Sequence, residues 1–424
     1  MTRMSTRESW SRFWLVVAAL AAGGCGTSDD TLVDVPHPAD AADADAADAD
    51  AADADADVPG EVEAEVEAAG DADADAPAEA EADGGGDDGG EAEADVPPAC
   101  PCPALPAVCS MPPAGQPTFT PPNETMAGQF LDLLACADVS VRLAVYETDW
   151  ECLVDAFAAK LAADADLLVQ FVIDDDRCPR GSDGALTCPL ALLETSDRVT
   201  IVPDDRSGLM HHKFAIFDDA RVWVASANLT RRSFCTDNNN AIVVDQPEIV
   251  AAYGNVFRRM FVDGTFGPVP PEEPAAGGPY RVYFSPETPS TAPARWFNDL
   301  VAAIGAATTS AEAMISAFTR TEVSDALIAA HRRGVAVRVI VQNTYADEAP
   351  ALALLAAGVP LHAGEMHSKT LVLDGRTVAT GSANWSANAW SNNENSLWIE
   401  DPAIAAAYRA EFERVFAATS APAP

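Results

Sequence analysis

The chain has 424 residues, with 66 acidic against 25 basic side chains and a formal net charge of −41. That length accommodates two domains or one double-lobed domain. The acidic balance leaves no general electrostatic footprint for nucleic acid, although a local basic pocket is compatible with it.

Residues 1–25 read as an export signal. Arg3, Arg7 and Arg12 form a basic lead, residues 13–22 are apolar, and Ala22, Gly23 and Gly24 place small residues before Cys25. Such a run is too short to span a bilayer. A cysteine directly after small residues resembles a bacterial lipobox, in which the thiol is lipidated and becomes the new N-terminus. Ala22 stands where that pattern prefers leucine. A cleaved signal peptide without lipid, or an uncleaved anchor, are the alternatives. The lipidated form implies an exported protein held in the bacterial cell envelope through Cys25. Gly26 resembles the outward-sorted lipoproteins, so the outer membrane is expected, with the chain facing the periplasm or the surface.

Residues 26–99 are repeats of Ala with Asp or Glu, interrupted by Gly and Val. Residues 1–99 hold 27 acidic and 3 basic residues, a net of −24. Such a segment buries too little apolar surface to offset chain entropy, and its like charges keep it extended. It is expected to be a disordered tether with a reach on the order of 45 Å. A helical reading of the Ala-rich stretch is weaker, because Asp is a poor helix former.

A Pro- and Cys-rich connector, residues 100–125, follows. Residues 100–424 carry 39 acidic and 22 basic residues, a net of −17. Besides Cys25 the chain has Cys100, Cys102, Cys109, Cys136, Cys152, Cys178, Cys188 and Cys235. An even remainder in an exported chain suggests up to four disulfides, with Cys178 and Cys188 as a local pair. Zinc is the rival, but Cys100-x-Cys102 has no histidine near it.

Two similar lobes are expected at 126–268 and 280–420, joined by a Pro/Gly linker at 269–279. In the first, residues 154–160 read as helix and 167–173 as strand. In the second, residues 325–334 read as a helix ending at Gly334, and 335–341 as a β-branched strand. Residues 245–253 parallel 400–408, from Pro247 against Pro402 to Tyr253 against Tyr408. This alternation predicts an α/β fold, a mixed sheet flanked by helices in each lobe, with the lobes packed as a pseudo-dimer within one monomeric chain.

The strongest signal is doubled. His211-x-Lys213, then Asp218, precedes Ser226-x-Asn228; His367-x-Lys369, then Asp374, precedes Ser382-x-Asn384. In both copies the serine lies 15 residues after the histidine. Residues 213–217 and 369–373 read as strands, 218–219 and 374–375 as hairpin turns, and 221–225 and 377–380 as returning strands. Histidine and lysine two apart project from one strand face, and serine and asparagine return beside them. Each lobe thus builds half a site. His212 is expected to face outward, His331 to lie on a helix surface and His362 in a loop. Phe214, Phe217, Trp223, Trp385 and Trp390 are expected in the core or a cleft wall.

At these residues the chain resembles the phospholipase D superfamily, phosphodiesterases with two such motifs, over about residues 126–420. Tyr283, Phe284, Ser285 and Pro286 are similar to the opening of that family's second repeats. The second copy matches better, with Gly381 before Ser382 and Glu394 after Asn393. The first has Ala225 for the glycine and Asn239 where Glu394 aligns, with Asp237 as a nearby substitute. The resemblance implies that the glutamate hydrogen-bonds a catalytic histidine, and it favours His211 as nucleophile and His367 as general acid.

The residue types suit phosphate-ester chemistry. Lys213 and Lys369 supply charge for non-bridging oxygens, and Asn228, Asn384, Ser226 and Ser382 supply donors for charge that develops in the transition state. One neutral histidine attacks phosphorus and the other, protonated, serves the leaving oxygen. Asp218 and Asp374 fit turn positions as well as catalytic ones, with a structural role favoured. The reading includes no cofactor and no metal-ligand cluster. It expects a lipid-anchored phospholipase D-like phosphodiesterase acting on phospholipid or another phosphodiester. A nuclease of the same superfamily is the alternative; a cardiolipin-synthase-like transferase or a non-catalytic binding protein come further behind.

Overall fold

A computed structural model describes residues 100, 102–121 and 125–422. The expected signal, Cys25 and the acidic tether lie outside the described residues. No helix among the described residues is long and apolar enough to cross a membrane.

The first lobe runs β1 (Thr118–Thr120), α1 (Thr125–Cys136), β2 (Ser140–Val145), α2 (Glu151–Ala163), β3 (Leu168–Ile173), β4 (Val199–Pro203), β5 (Lys213–Phe217), β6 (Arg221–Ala225), α3 (Arg231–Cys235), β7 (Asn239–Val244) and α4 (Pro247–Phe261). The second runs β8 (Ala275–Gly277), β9 (Tyr280–Ser285), α5 (Arg295–Ala306), β10 (Ser310–Ile315), α6 (Thr321–Arg332), β11 (Ala336–Gln342), α7 (Ala349–Ala356), β12 (Leu361–Gly364), β13 (Lys369–Leu373), β14 (Thr377–Gly381), α8 (Asn388–Ser391), β15 (Glu394–Glu400) and α9 (Pro402–Ala418).

Each lobe is one mixed sheet. The strand orders are β1-β7-β6-β5-β2-β3-β4 and β12-β11-β10-β13-β14-β15-β9-β8. The parallel pairs are β2–β3 and β3–β4 in the first sheet and β10–β11 and β11–β12 in the second, each reached by a crossover. The expected linker is partly structured. Between Pro274 and Pro279 the proline-free stretch of β8 pairs with β9 as an edge strand, its turn made by Gly278 at φ +55°.

Local sequence explains these elements. In α2, Leu153, Phe157 and Leu161 recur every four residues and are buried on one face. Asp401 caps α9, its carboxylate accepting from the N–H of Ala403 and Ile404, with Pro402 in the first turn. Strand alternation divides the core. Ala215 and Phe217 enter the outer core of the first lobe, whereas Phe214 and Ile216 enter a core shared with Val372, Val378, Leu397 and Ile399 of the second. Burying a side chain such as Phe214 stabilises by about 1.5–3 kcal/mol, so the shared core fastens the sheets face to face.

Four disulfides, Cys100–Cys235, Cys102–Cys152, Cys109–Cys136 and Cys178–Cys188, all lie in the connector and first lobe. Three of them tie the connector to the first lobe's helices.

Candidate active site

Both motifs sit at the same place in their lobes. His211 and Lys213 enter β5, and His367 and Lys369 enter β13. All four side chains are buried or nearly so. Lys213 Nζ donates to the His211 carbonyl at 3.0 Å, and Lys369 Nζ to the His367 carbonyl at 2.8 Å. Each ammonium is thereby folded back beside its own histidine.

The histidines are anchored from the opposite lobe. His211 Nδ1 lies 2.8 Å from Glu394 Oε1, at the start of β15. His367 Nδ1 lies 3.0 Å from Asn239 Oδ1, at the start of β7. The crossing is repeated one residue along. Asn395 Oδ1 pairs with His212 Nδ1 at 3.3 Å, and Asn240 Nδ2 donates to Ser368 Oγ at 3.3 Å. Tyr253 Oη accepts from Asn395 Nδ2, and Tyr408 Oη donates to Asn240 Oδ1, both at 3.1 Å. A pseudo-two-fold relation therefore runs through the interface, and each half-site is completed by the other lobe.

With Nδ1 of each ring held in this way, Nε2 is the ring nitrogen that could attack or transfer a proton. Asn239 is itself held: its Oδ1 also accepts from Ser226 Oγ at 2.8 Å, and its Nδ2 donates to the Ser233 carbonyl at 3.0 Å. With the amide so oriented, Oδ1 faces His367, and Nδ1 of that ring is the donor. Ser226 and Ser382 are fully buried and bond to the asparagines of β7 and β15. They act as positioning residues. Asn384 Oδ1 accepts from the Ala317 N–H at 3.2 Å, and Asn228 is buried at the corresponding place.

Several expectations are corrected. Asp218 and Asp374 lie at the far ends of β5 and β13, about 16 Å along the strand from the lysines at about 3.3 Å per residue. Both occupy hairpin turns at φ +52°. The Asp218 carboxylate accepts from the N–H of Asp138, Val139 and Ser140, and that of Asp374 from Thr308, Thr309 and Ser310. They staple each turn to the start of the neighbouring strand, which is a structural role. Burial raises the Asp374 pKa, but these N–H donors outweigh it and hold the group well below the usual carboxylate range. His212 does not face outward. It does turn away from Lys213, but that face is the shared core, and burial lowers its pKa to about 3. Asp237 does not replace the glutamate. It pairs with Arg232 at 3.1 Å, and burial raises it to about 6 despite that cation. His362 lies in β12, stacked on Phe416 at 3.7 Å, rather than in a loop.

Sequence reasoning missed Tyr146 and Arg177. Tyr146 meets His211 edge-on at 5.0 Å, and Lys213 Nζ lies 5.3 Å from its ring. Arg177 donates to Tyr146 Oη at 2.6 Å and covers the same ring at 4.9 Å. Tyr146 follows β2, the strand paired with β5, so strand adjacency was the only usable signal. It also missed a carboxylate trio, Asp174, Asp175 and Asp204, with ligand oxygens within 4.8 Å of one another.

A cavity of about 500 Å³, lined by Arg258, Arg259, Glu272 and Phe284 among others, contains none of the motif residues and is not the site.

The family model for the cardiolipin synthase, phospholipase D-like domain matches residues 130–261 and 300–416, more than half of the chain. The chain belongs to the phospholipase D superfamily. Members of this superfamily are phosphodiesterases. A mitochondrial cardiolipin hydrolase of Xenopus laevis is 39% identical over 127 residues, covering 28% of this chain and 60% of that protein. The human cardiolipin hydrolase is 36% identical over 124 residues, covering 28% and 49%. The chain spans about three fifths of the length of the first of these relatives. The crystal structure of a phosphatidylserine synthase of Haemophilus influenzae superposes with TM-score 0.54 at 15% identity, over 72% of this chain and 86% of that one. That likeness concerns the two-lobed fold.

Proposed function

We propose that this chain is a phospholipase D-type phosphodiesterase that cleaves phospholipid head groups, or exchanges them with an alcohol, through a phosphohistidine. The crossed anchoring of His211 by Glu394 and of His367 by Asn239, beside two buried lysines, carries the reading. It supports one composite site per chain with two histidines in unlike settings.

His211 Nε2 attacks phosphorus while the ester P–O bond breaks, and the leaving alkoxide takes a proton from His367 Nε2. Water or an alcohol then gives its proton to His367 as it attacks, and the P–N bond breaks. Lys213, Lys369, Asn228 and Asn384 stabilise the non-bridging oxygens. The phosphorylated imidazole keeps its Nδ1 proton and is cationic, which Glu394 favours.

A lipid substrate is favoured over nucleic acid by charge. Phosphate contacts dominate nucleic-acid affinity, and residues 100–424 carry a net of −17. In the Arg-Arg pairs Arg231-Arg232 and Arg332-Arg333, the Arg232 side chain is engaged by Asp237 and Glu365, and that of Arg333 by carbonyls at the end of α5. An anchor at Cys25 would hold the site within tether reach of a membrane surface.

The test is head-group release from labelled phospholipid vesicles with added ethanol, beside single- and double-stranded DNA, with His211→Asn and His367→Asn as controls. Head-group release with formation of phosphatidylethanol, lost in both variants, is expected. DNA cleavage without lipid turnover would replace this reading with a nuclease.

A further inference from the structure

The trio at the ends of β3 and β4 is more than a cluster of acids. Asp174 and Asp204 are 2% and 3% exposed, and Asp175 is half-buried. Asp174 Oδ2 accepts from the Met210 N–H at 2.9 Å, and Asp204 Oδ1 accepts from the Asp175 N–H at 2.9 Å. Asp204 Oδ2 is buried with no hydrogen-bond partner. A buried acceptor left unsatisfied is costly, more so beside two other carboxylates. Arg206 exerts its field on Asp204, but its guanidinium is bonded to Phe266 O, Asn393 Oδ1 and Ser391 O.

The second lobe supplies an internal control. Gln342, at the end of β11, accepts from the Met366 N–H at 2.6 Å, as Asp174 does from Met210. Asn343 then corresponds to Asp175, and Gly364, by the register of β11 with β12, to Asp204. Holding the backbone ahead of the motif histidine thus needs one side-chain oxygen and no carboxylate. The three acids of the first lobe exceed that task.

We propose that Asp174, Asp175 and Asp204 bind a hard divalent cation of the calcium type, which locks the segment leading into His211. The donor set is all oxygen, as such ions require, and atoms up to 4.8 Å apart fit round an ion at about 2.4 Å. The ion satisfies Asp204 Oδ2 and neutralises the trio. Through Asp174 it fixes Met210, next to His211, and the turn that carries Arg177 against Tyr146.

The experiment is calorimetric titration of the full, EDTA-stripped chain with CaCl2 at pH 7.5, with thermal unfolding at each Ca2+ concentration. Asp204→Asn and Asp175→Asn are run in parallel; Asp175 is at the rim, so its variant serves if loss of Asp204 prevents folding. The acidic residues 26–99 are common to all three proteins, so the readout is the difference between them. A saturable site in the wild type, with Tm rising with log Ca2+ concentration, and binding at least about tenfold weaker in either variant, is expected. Indistinguishable heats and Tm responses in all three proteins, or a wild-type Tm that ignores Ca2+, would overturn the proposal.

Discussion

His367 Nδ1 meets Asn239 Oδ1 at 3.0 Å in the position where His211 Nδ1 meets the Glu394 carboxylate at 2.8 Å. One imidazole is backed by a charge and the other by a neutral amide. A carboxylate favours the cationic ring, and an amide does so far less. Asn239→Asp should therefore move the alkaline limb of kcat/KM upward by about one pH unit or more. A profile measured from pH 5 to 10 that leaves that limb in place would remove His367 as the acid.

Glu394→Gln keeps a hydrogen bond to His211 and removes the charge. By comparison with the buried carboxylate behind a protease imidazole, kcat should fall by about 10³–10⁴. Phosphohistidine trapped during turnover should fall with it. Near-normal kcat would mean that the cationic intermediate does not form on His211.

The doubled motif, the strands that carry it and the two-lobed α/β fold were legible because each rests on local spacing. Histidine and lysine two apart must share a strand face, and an aspartate after a five-residue strand falls in its turn. The pairing of Glu394 with His211 was not legible, since it crosses between sheets and spans 183 residues. Asp237 seemed a fair substitute in sequence, yet strand register delivers Asn239 to His367. The trio escaped for a similar reason. Asp174 and Asp204 are distant in sequence and meet because β3 and β4 are parallel neighbours, whose ends coincide without any hairpin to announce it. His212 was misplaced because alternation gives the face of a side chain, not what covers that face.

His212 sets a pH dependence of stability. Its folded pKa of about 3 lies below the unfolded value near 6.5, so the unfolded chain binds the proton first as pH falls. The stability it contributes is complete above about pH 6.5 and is lost progressively toward pH 3. Between pH 7 and 5 the wild-type Tm should drop more steeply than that of His212→Gln. Parallel curves would show that His212 is not the buried neutral group it is taken for.

Asp374 has the same sign in a lower window. Its folded pKa is depressed, so its contribution is present above the ordinary carboxylate range near pH 4 and is lost as pH falls toward the folded value. Asp374→Asn should cost about 1–2 kcal/mol at pH 7, in line with loss of a helix-cap-like set of charge-assisted bonds, and leave kcat within about threefold. The deficit should shrink below about pH 4. A collapse of kcat with an unchanged Tm would return this residue to the catalytic set.

The glycine before the second serine explains one departure between the repeats. Gly381 sits at φ +135°, and a Cβ there would stand 2.3 Å from the Asn395 carbonyl oxygen. Ala225 holds the matching place in β6, is paired with Ala241, and is not among the positive-φ residues. The strand register is the same in the two copies, Ala225 opposite Ala241 and Gly381 opposite Ser396, so the difference lies in the backbone conformation at the residue before the serine. Gly381→Ala must shift β15, which carries Glu394 and Asn395 into the other lobe. It should lose about 1–3 kcal/mol and reduce kcat, whereas Ala225→Gly should cost only about 0.5–1 kcal/mol. Thermal unfolding and kinetics of the pair would decide it, and equal losses would mean that the glycine is not what lets β15 approach.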